Sequence, residues 1–561
     1  MPTTRLPLTQ PIETRDGTLS KDSKSVNGYF ETREGTREFI KRPGLLPISL
    51  GTALPVAQCQ GLVFFNTYFI VIINNTVYKV STSSYAVTSL GTISGTVKTC
   101  YFAPSSNNQY LFFHNQTYGY LIDGTTWSLT KYTNDNVVST NILVGGSGYV
   151  SGDAVVFSAP GGSGTTATGT LILSGTAIVG ITITSGGSGY SSPPSVSVTT
   201  STGVGFSATC LLNAFPSGPL CPGAVYLDSY IIVGTVAGRI YNSDVGNPKI
   251  WDALSYLTAE SEPDNLVGIS KHLNYVIGYG QYSTEFFYDI GNATASPLAV
   301  ASPYKLEIGA ANGDSIVQFD QTVIFLGTSV TTGPVIYLLD GTSPTRISNG
   351  YIDRILQQSN LNQIRAFAFK TNGHTFYVLT LHESNITLVY DLSEKMWNQW
   401  TQWAPDSTTG VYGEQYFRPS FAAGYNLKTF VIDDDNGLFY ELTPQSYSDG
   451  TVPIYYRTVT DIMDSGSTKR KFYERLEIIG DKIPGNMKVR HTGDDYKTWS
   501  TYRSVDLNKA RPQIYILGAD RRRAWEFLCT DAVPLRLNSA EIDFKIGEIE
   551  NEGLQPAQYR K

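Results

Sequence analysis

A chain of 561 residues exceeds one ordinary domain, and its 16% charged and 12% aromatic residues, with 53 Gly and 36 Tyr, fit a large all-β protein with many turns and a sizeable core. The net charge of −7 is uneven: +2 over residues 1–50, −12 over 51–450 and +3 over 451–561. So acidic a middle excludes a protein that grips nucleic acid tightly by its phosphates.

Residues 1–11 are polar and broken by prolines, unlike a signal peptide, and no apolar run reaches the ~20 residues that span a bilayer. Residues 1–50 are rich in charge and poor in apolar runs, which predicts an extended N-terminal arm with one short strand near residues 29–31. Such an arm is either a solvated leader or a segment docked on a neighbouring subunit.

From Cys59 a phrase of short β-branched and aromatic strands, separated by Gly, Asn and Asp turns, returns again and again. It is clearest between residues 224 and 348. Units start near Cys59, Cys100, Cys221, Leu266, Ser315, Ile364 and Ser420. With residues 142–215 set aside, the starts lie about 40–55 residues apart, which is the spacing of β-propeller blades with about four strands each. The expected fold is therefore all-β: a propeller platform over 51–450 with about seven blades, six or eight remaining open.

Residues 142–215 are different material, with Asp153 as the one charged residue. The pentapeptide GGSGY occurs at 145–149 and again at 186–190, each followed by an alternating strand. This predicts a small duplicated β domain inserted between blades. Residues 451–561 turn towards Arg and Lys, with strands expected at 472–479, 487–491, 514–517, 525–529 and 535–544, as in a β-sandwich-like C-terminal domain.

Motifs for chemistry are wanting. Neither a phosphate-binding loop nor a dinucleotide fingerprint is present, and GGSGY has Tyr where a nucleophile elbow needs Gly. The run Asp433-Asp434-Asp435-Asn436-Gly437 fails the calcium-loop test, because Ile432 and Thr443 stand at the first and last ligand positions; a hairpin turn is the better reading. Five histidines lack metal-ligand spacing, and five scattered cysteines without CxxC read as small buried hydrophobes in a reducing compartment. No metal, cofactor or catalytic residue is expected. SDVGNPKIW at 243–251 resembles the Asp-box turn of sialidase propellers, one residue short, and would seat Trp251 structurally. A sialidase also needs an arginine cluster, yet residues 51–349 hold only Arg239 and Arg346. Arg521, Arg522 and Arg523, followed by Trp525, read as a solvated or subunit-interface edge rather than a DNA contact.

Several ordered phrases together resemble the packaged-DNA stabilisation or tail nozzle (tail hub) proteins of short-tailed bacteriophages. They are NGYFE (27–31), RPGL (42–45), DSYIIVGTVAGRIYNSD…W (228–251), AESEPDNLVGI (259–269), STEFFYDIGNA (283–293), RISNGYID (346–353), VYDLSEKMWNQW (389–400) and LGADRRRAWEF (517–527). On this pattern the positions singled out are Arg42, Pro43, Gly44, Trp251, Trp397, Trp400, Arg521, Arg522, Arg523 and Trp525.

The resemblance implies a non-enzymatic virion component of the phage tail, assembled in the host bacterial cytoplasm. It implies a homo-hexamer ringed beneath the portal and an adaptor (head-completion) protein ring, extending and closing the DNA channel. Such a ring retains packaged DNA, passes viral double-stranded DNA without sequence-specific binding, and anchors tailspike, fibre or tail-tip proteins. Six copies at −7 each carry −42, and acidic walls let DNA slide without sticking. Two alternatives remain at this point: a receptor- or glycan-binding tail module, and a propeller glycosidase.

Overall fold

The computed structural model describes residues 3–8, 23–259, 264–292, 295–405 and 410–547. Most of the leader, parts of the phrases at 259–269 and 283–293, and residues 548–561 lie outside this description.

Six blades are built from consecutive strands. The first runs Cys59–Phe65, Tyr68–Ile73, Thr76–Ser81 and Val87–Thr92; the second Tyr101–Pro104, Tyr110–His114, Gly119–Asp123 and Leu129–Lys131. The third spans Val225–Leu227 to Asn247–Thr258, the fourth Leu266–His272 to Leu298–Val300, and the fifth Gly309–Ala310 to Ser343–Arg346. The sixth runs from Ile364–Thr371 to Met396–Pro405. A composite sheet then closes the ring: Pro419–Tyr425, Lys428–Asp433 and Phe439–Thr443, with Gly44–Pro47 as its outer strand in the register Leu45↔Leu442. The expected count of about seven thus resolves into six consecutive blades and one closing sheet shared between distant parts of the chain.

The sequence forms these strands because each blade needs both faces covered. Tyr68–Ile73 is almost wholly buried, since a neighbouring sheet lies against each side of it, whereas the outer strand Val87–Thr92 is half exposed. Asn74 and Asn75 both adopt positive φ, the conformation a tight hairpin requires and Asn tolerates. Between consecutive blades sit separate apolar cores, such as Ile72 with Phe113, and Ile336 with Leu379. The core joining first blade and closing sheet holds Phe69, Phe430 and Ile432, so the ring is continuous. Each fully buried aliphatic or aromatic side chain contributes roughly 1.5–3 kcal/mol.

The insertion leaves the propeller after the second blade. Its six strands pair as Val137–Ser147 with Val204–Leu212, Ala154–Phe157 with Val196–Thr199, and Thr168–Ser174 with Ala177–Ser185. Read as two units of three strands, the first strand of each unit pairs with the third strand of the other, and the two middle strands pair together. The GGSGY repeat is therefore a pseudo-two-fold exchange of strands. In both copies the glycines at the second and fourth positions take positive φ (Gly146, Gly148, Gly187 and Gly189). Both tyrosines are buried, and their hydroxyls accept backbone N–H groups of the other unit or its partner strand: Phe206 to Tyr149 at 3.2 Å, Ala167 to Tyr190 at 2.8 Å.

The segment after residue 450 forms two sheets facing each other over one core, which includes Leu476, Met487, Trp525, Phe527 and Ile542. Described parts of the N-terminal arm belong to this construction. Thr3–Pro7 pairs with Arg536–Ile546, the hairpin Gly28–Arg33/Thr36–Lys41 extends the same sheet, and Lys24–Val26 lies between the sixth blade and Tyr456–Val459. Where the sequence predicts a single short strand near Tyr29, the described part of the arm holds five. Apart from the local hairpin, their partners lie hundreds of residues away, so local pattern carries no trace of those pairings.

Candidate functional site: a buried clasp and a barred axis

Arg42 is fully buried where the arm, the sixth blade and the closing sheet meet. Its guanidinium forms a two-toothed pair with Asp449, Nη1–Oδ1 2.9 Å and Nη2–Oδ2 2.5 Å, and donates to the carbonyls of Pro43 and Thr401, both at 2.9 Å. Its Nε donates to Asn27 Oδ1 at 3.0 Å. The rings of Phe417 and Trp400 lie 4.7 and 5.8 Å from the guanidinium carbon. Every donor direction of the fork is thus met, the condition under which a buried ion pair holds a structure together. Asn27 completes the knot, donating to Thr401 Oγ1 at 2.8 Å and to the Tyr455 carbonyl at 2.9 Å.

Gly44 follows because a Cβ there would sit 2.5 Å from the Ser448 carbonyl oxygen. Trp400 Nε1 donates to the Gly28 carbonyl at 3.0 Å, tying blade to arm, while Trp397 Nε1 donates to the Ile347 carbonyl at 2.8 Å within the core between fifth and sixth blades. So Arg42, Pro43, Gly44 and Trp400 come together, and Trp397 stands on the neighbouring face. Asp449 and Asn27 were not singled out from the sequence, although Asn27 opens the NGYFE phrase.

Trp251 is far from this knot. It fills the core between second and third blades against Phe215 and Phe112, and its hairpin has Ser243 Oγ accepting the Ile231 N–H at 3.0 Å, so the Asp-box-like turn serves packing.

In the C-terminal sheets the arginine triplet divides. Arg521 and Arg522 are exposed, Arg522 reaching Asp495 at 3.5 Å. Arg523 is buried: its Nε donates to Asp520 at 2.7 Å and Nη1 to the Leu517 carbonyl at 2.7 Å, with Tyr473 4.0 Å and Trp525 5.1 Å from its guanidinium carbon. Burial pulls its pKa below the usual arginine value, against the pull of Asp520. Arg521 and Arg522 lie in a bend, whereas Arg523 bridges Met463 just ahead of the strand Ala524–Cys529 and turns into the core, so only two of the three arginines form a surface edge.

At the propeller axis, Tyr101 from the inner strand of the second blade hydrogen-bonds Asp314, which lies between Gly309–Ala310 and Val317–Phe319, the two pieces of the fifth blade's inner strand. Asp314 in turn pairs with Arg365 of the sixth blade at 2.7 Å. Beside them His382 of the sixth blade lies 3.3 Å from Asp434 of the closing sheet. The chain of contacts reaches across the ring, so the axis is barred by side chains. Burial, reinforced by Asp314, holds the Tyr101 phenol well above its usual value and so protonated. Burial alone would raise Asp434, but His382 and Arg365 hold its carboxyl below the ordinary range. Among the described residues no cluster of His, Cys, Asp or Glu has the makings of a metal site, and all five cysteines are buried and free. His374, at the far end of the strand that leads to His382, pairs with buried Asp391 at 2.7 Å.

Residues 219–447 match the family model described as Phage_stabilise, the bacteriophage P22 Gp10 β-propeller. That part of the chain is similar to the propeller of the phage stabilisation family. The tail hub protein gp10 of Salmonella phage P22 is 26% identical over 161 residues, 28% of this chain and 34% of that protein. The chain thus spans about a third of the length of the curated relative it matches. Among solved structures, BamB from Moraxella catarrhalis aligns with a TM-score of 0.34 at 7% identity, over 79% of this chain and 99% of its own. The designed Ika8 protein aligns at 0.32 and 11%, over 71% and 100%, and a chain of the mitotic checkpoint complex at 0.35 and 10%, over 71% and 95%. At these scores they add nothing to the description.

Proposed function

We propose that this chain is a structural component of a short-tailed phage tail, a nozzle or hub subunit without enzymatic activity. Copies assemble into a ring, a hexamer by family analogy, beneath the portal and its adaptor ring; the ring extends and closes the DNA channel, retains the packaged genome and anchors tailspikes or fibres. Assembly takes place in the host cytoplasm.

The observation that carries this reading is the family match over a propeller whose own axis is barred by Tyr101, Asp314 and Arg365. Double-stranded DNA has no path through such a subunit, so a conduit has to lie between copies. The acidic middle of the chain suits a wall that repels phosphate. The +3 C-terminal segment, with exposed Arg521 and Arg522, is complementary in sign to the −12 propeller segment of a neighbour.

Phage particles assembled without this protein test the reading. They should package DNA and then lose it, and should carry incomplete tails by electron microscopy. Particles that keep their genome and a complete, infective tail would refute it.

A further inference from the structure

Over the barred axis, on the face where the inner strands begin, lies an open cavity of about 630 Å³. Its size falls within the range of small-molecule sites. The floor groups already have partners within the protein, Arg365 with Asp314 at 2.7 Å and Asp434 with His382 at 3.3 Å. At the rim Lys98 and Glu383 oppose one another in sign.

Apart from this opposed pair, what remains on offer is uncharged. The side-chain amides of Gln58, Gln116, Asn362 and Gln363 line the cavity, and none makes a hydrogen bond with another described residue. Each amide presents a donor and an acceptor side by side. Tyr416 adds an aromatic wall, held edge-on by His382 with ring centroids 5.1 Å apart. Alternating donors and acceptors beside a ring face, with Lys98 and Glu383 opposed in sign at the rim, match a ligand that carries many hydroxyls on an apolar ring. Because Lys98 and Glu383 cancel in sign, neither an anionic nor a cationic ligand meets a net counter-charge here.

We propose that this mouth of the propeller is a binding site for a neutral oligosaccharide. Asn362 and Gln363 hydrogen-bond its hydroxyls, Gln58 and Gln116 contact it from the opposite blades, and a sugar face rests on Tyr416. The site belongs to the single chain and does not depend on ring assembly.

The test exposes full-length protein to a printed array of neutral oligosaccharides with their sialylated and sulfated counterparts, and measures the soluble form of any hit by titration calorimetry. A neutral glycan should bind, and the double variant N362A/Q363A should weaken it by about tenfold or more, two lost hydrogen bonds at 0.5–1.5 kcal/mol each. Both positions are exposed, so an unchanged melting temperature separates lost binding from lost fold. A variant lacking residues 137–212 should bind as the parent does. Failure of every neutral glycan to bind, affinity unaffected by N362A/Q363A, loss of binding with the insertion, or a preference for sialylated or sulfated sugars would each overturn the proposal.

Discussion

The propeller and its insertion use the same strand-forming residues and solve the same burial problem in opposite ways. A blade hides each face against a neighbouring blade, so its stability depends on the whole ring and on the clasp that shuts it. The insertion hides its faces against its own duplicate, within 76 residues from Val137 to Leu212, and leaves Leu143, Val144, Ile172 and Val204 exposed. The contrast teaches that cooperativity here follows from where partner strands lie in the chain rather than from composition. One region should fail when a distant contact is cut, and the other should be removable.

The sharpest way to break the contrast is Arg42→Ala. It strands the buried Asp449 carboxylate, so the chain should lose on the order of 3–5 kcal/mol in denaturant unfolding. A loss below about 1 kcal/mol would mean the ring does not rely on its clasp.

A second effect of similar scale comes from pH. His114 is buried on the second blade with Nε2 2.8 Å from the Gly223 carbonyl oxygen, and burial lowers its pKa from 6.5 to about 4 despite that contact. Between those values the unfolded chain binds more protons than the folded one. Stability is therefore full above about pH 6.5 and falls as pH drops towards 4, by about 3 kcal/mol in all from this group. Chemical denaturation across that window, repeated on H114Q, should show a shallower slope for the variant.

Excision of the insertion tests the other side. The rings of Tyr132 and Phe215 stack at its base with centroids 4.9 Å apart and planes 10° from parallel, so its ends are already adjacent. Bridging residues 133 and 214 by a short linker should change propeller stability by no more than about 1 kcal/mol. Loss of the folded ring would show that the insertion is a working part of it.

The smallest expected effect is that of R521A/R522A. Stability should stay within about 0.5 kcal/mol, because both side chains are exposed. Ring assembly measured by light scattering should nevertheless weaken, and unchanged assembly would remove these two from the interface. Including Arg523 would confound the result, since that guanidinium is buried in the core.

The sequence made the blades legible because their strands are local: Tyr68–Ile73 announces itself as a buried run, and Asn74-Asn75 marks its turn. It also showed the GGSGY duplication, though not the exchange of strands between copies. What it hid depends on long-range partners. Gly44–Pro47 pairs with residues about four hundred positions on, and no periodicity at either end records that. Arg42 entered through a family phrase, and its counter-ion Asp449 carried no signal of its own. The axial residues Tyr101, Asp314 and Arg365 come from three blades, so only closure of the ring brings them together. A faint clue existed in Arg365, the one charge within the apolar run Ile364–Phe369.

Single-particle electron microscopy of the purified full-length protein tests the central claim most directly. The account predicts rings in which every propeller axis is displaced from the central lumen and is closed at its middle. Isolated monomers at all concentrations, or a ring whose lumen runs through an open propeller axis, would contradict it.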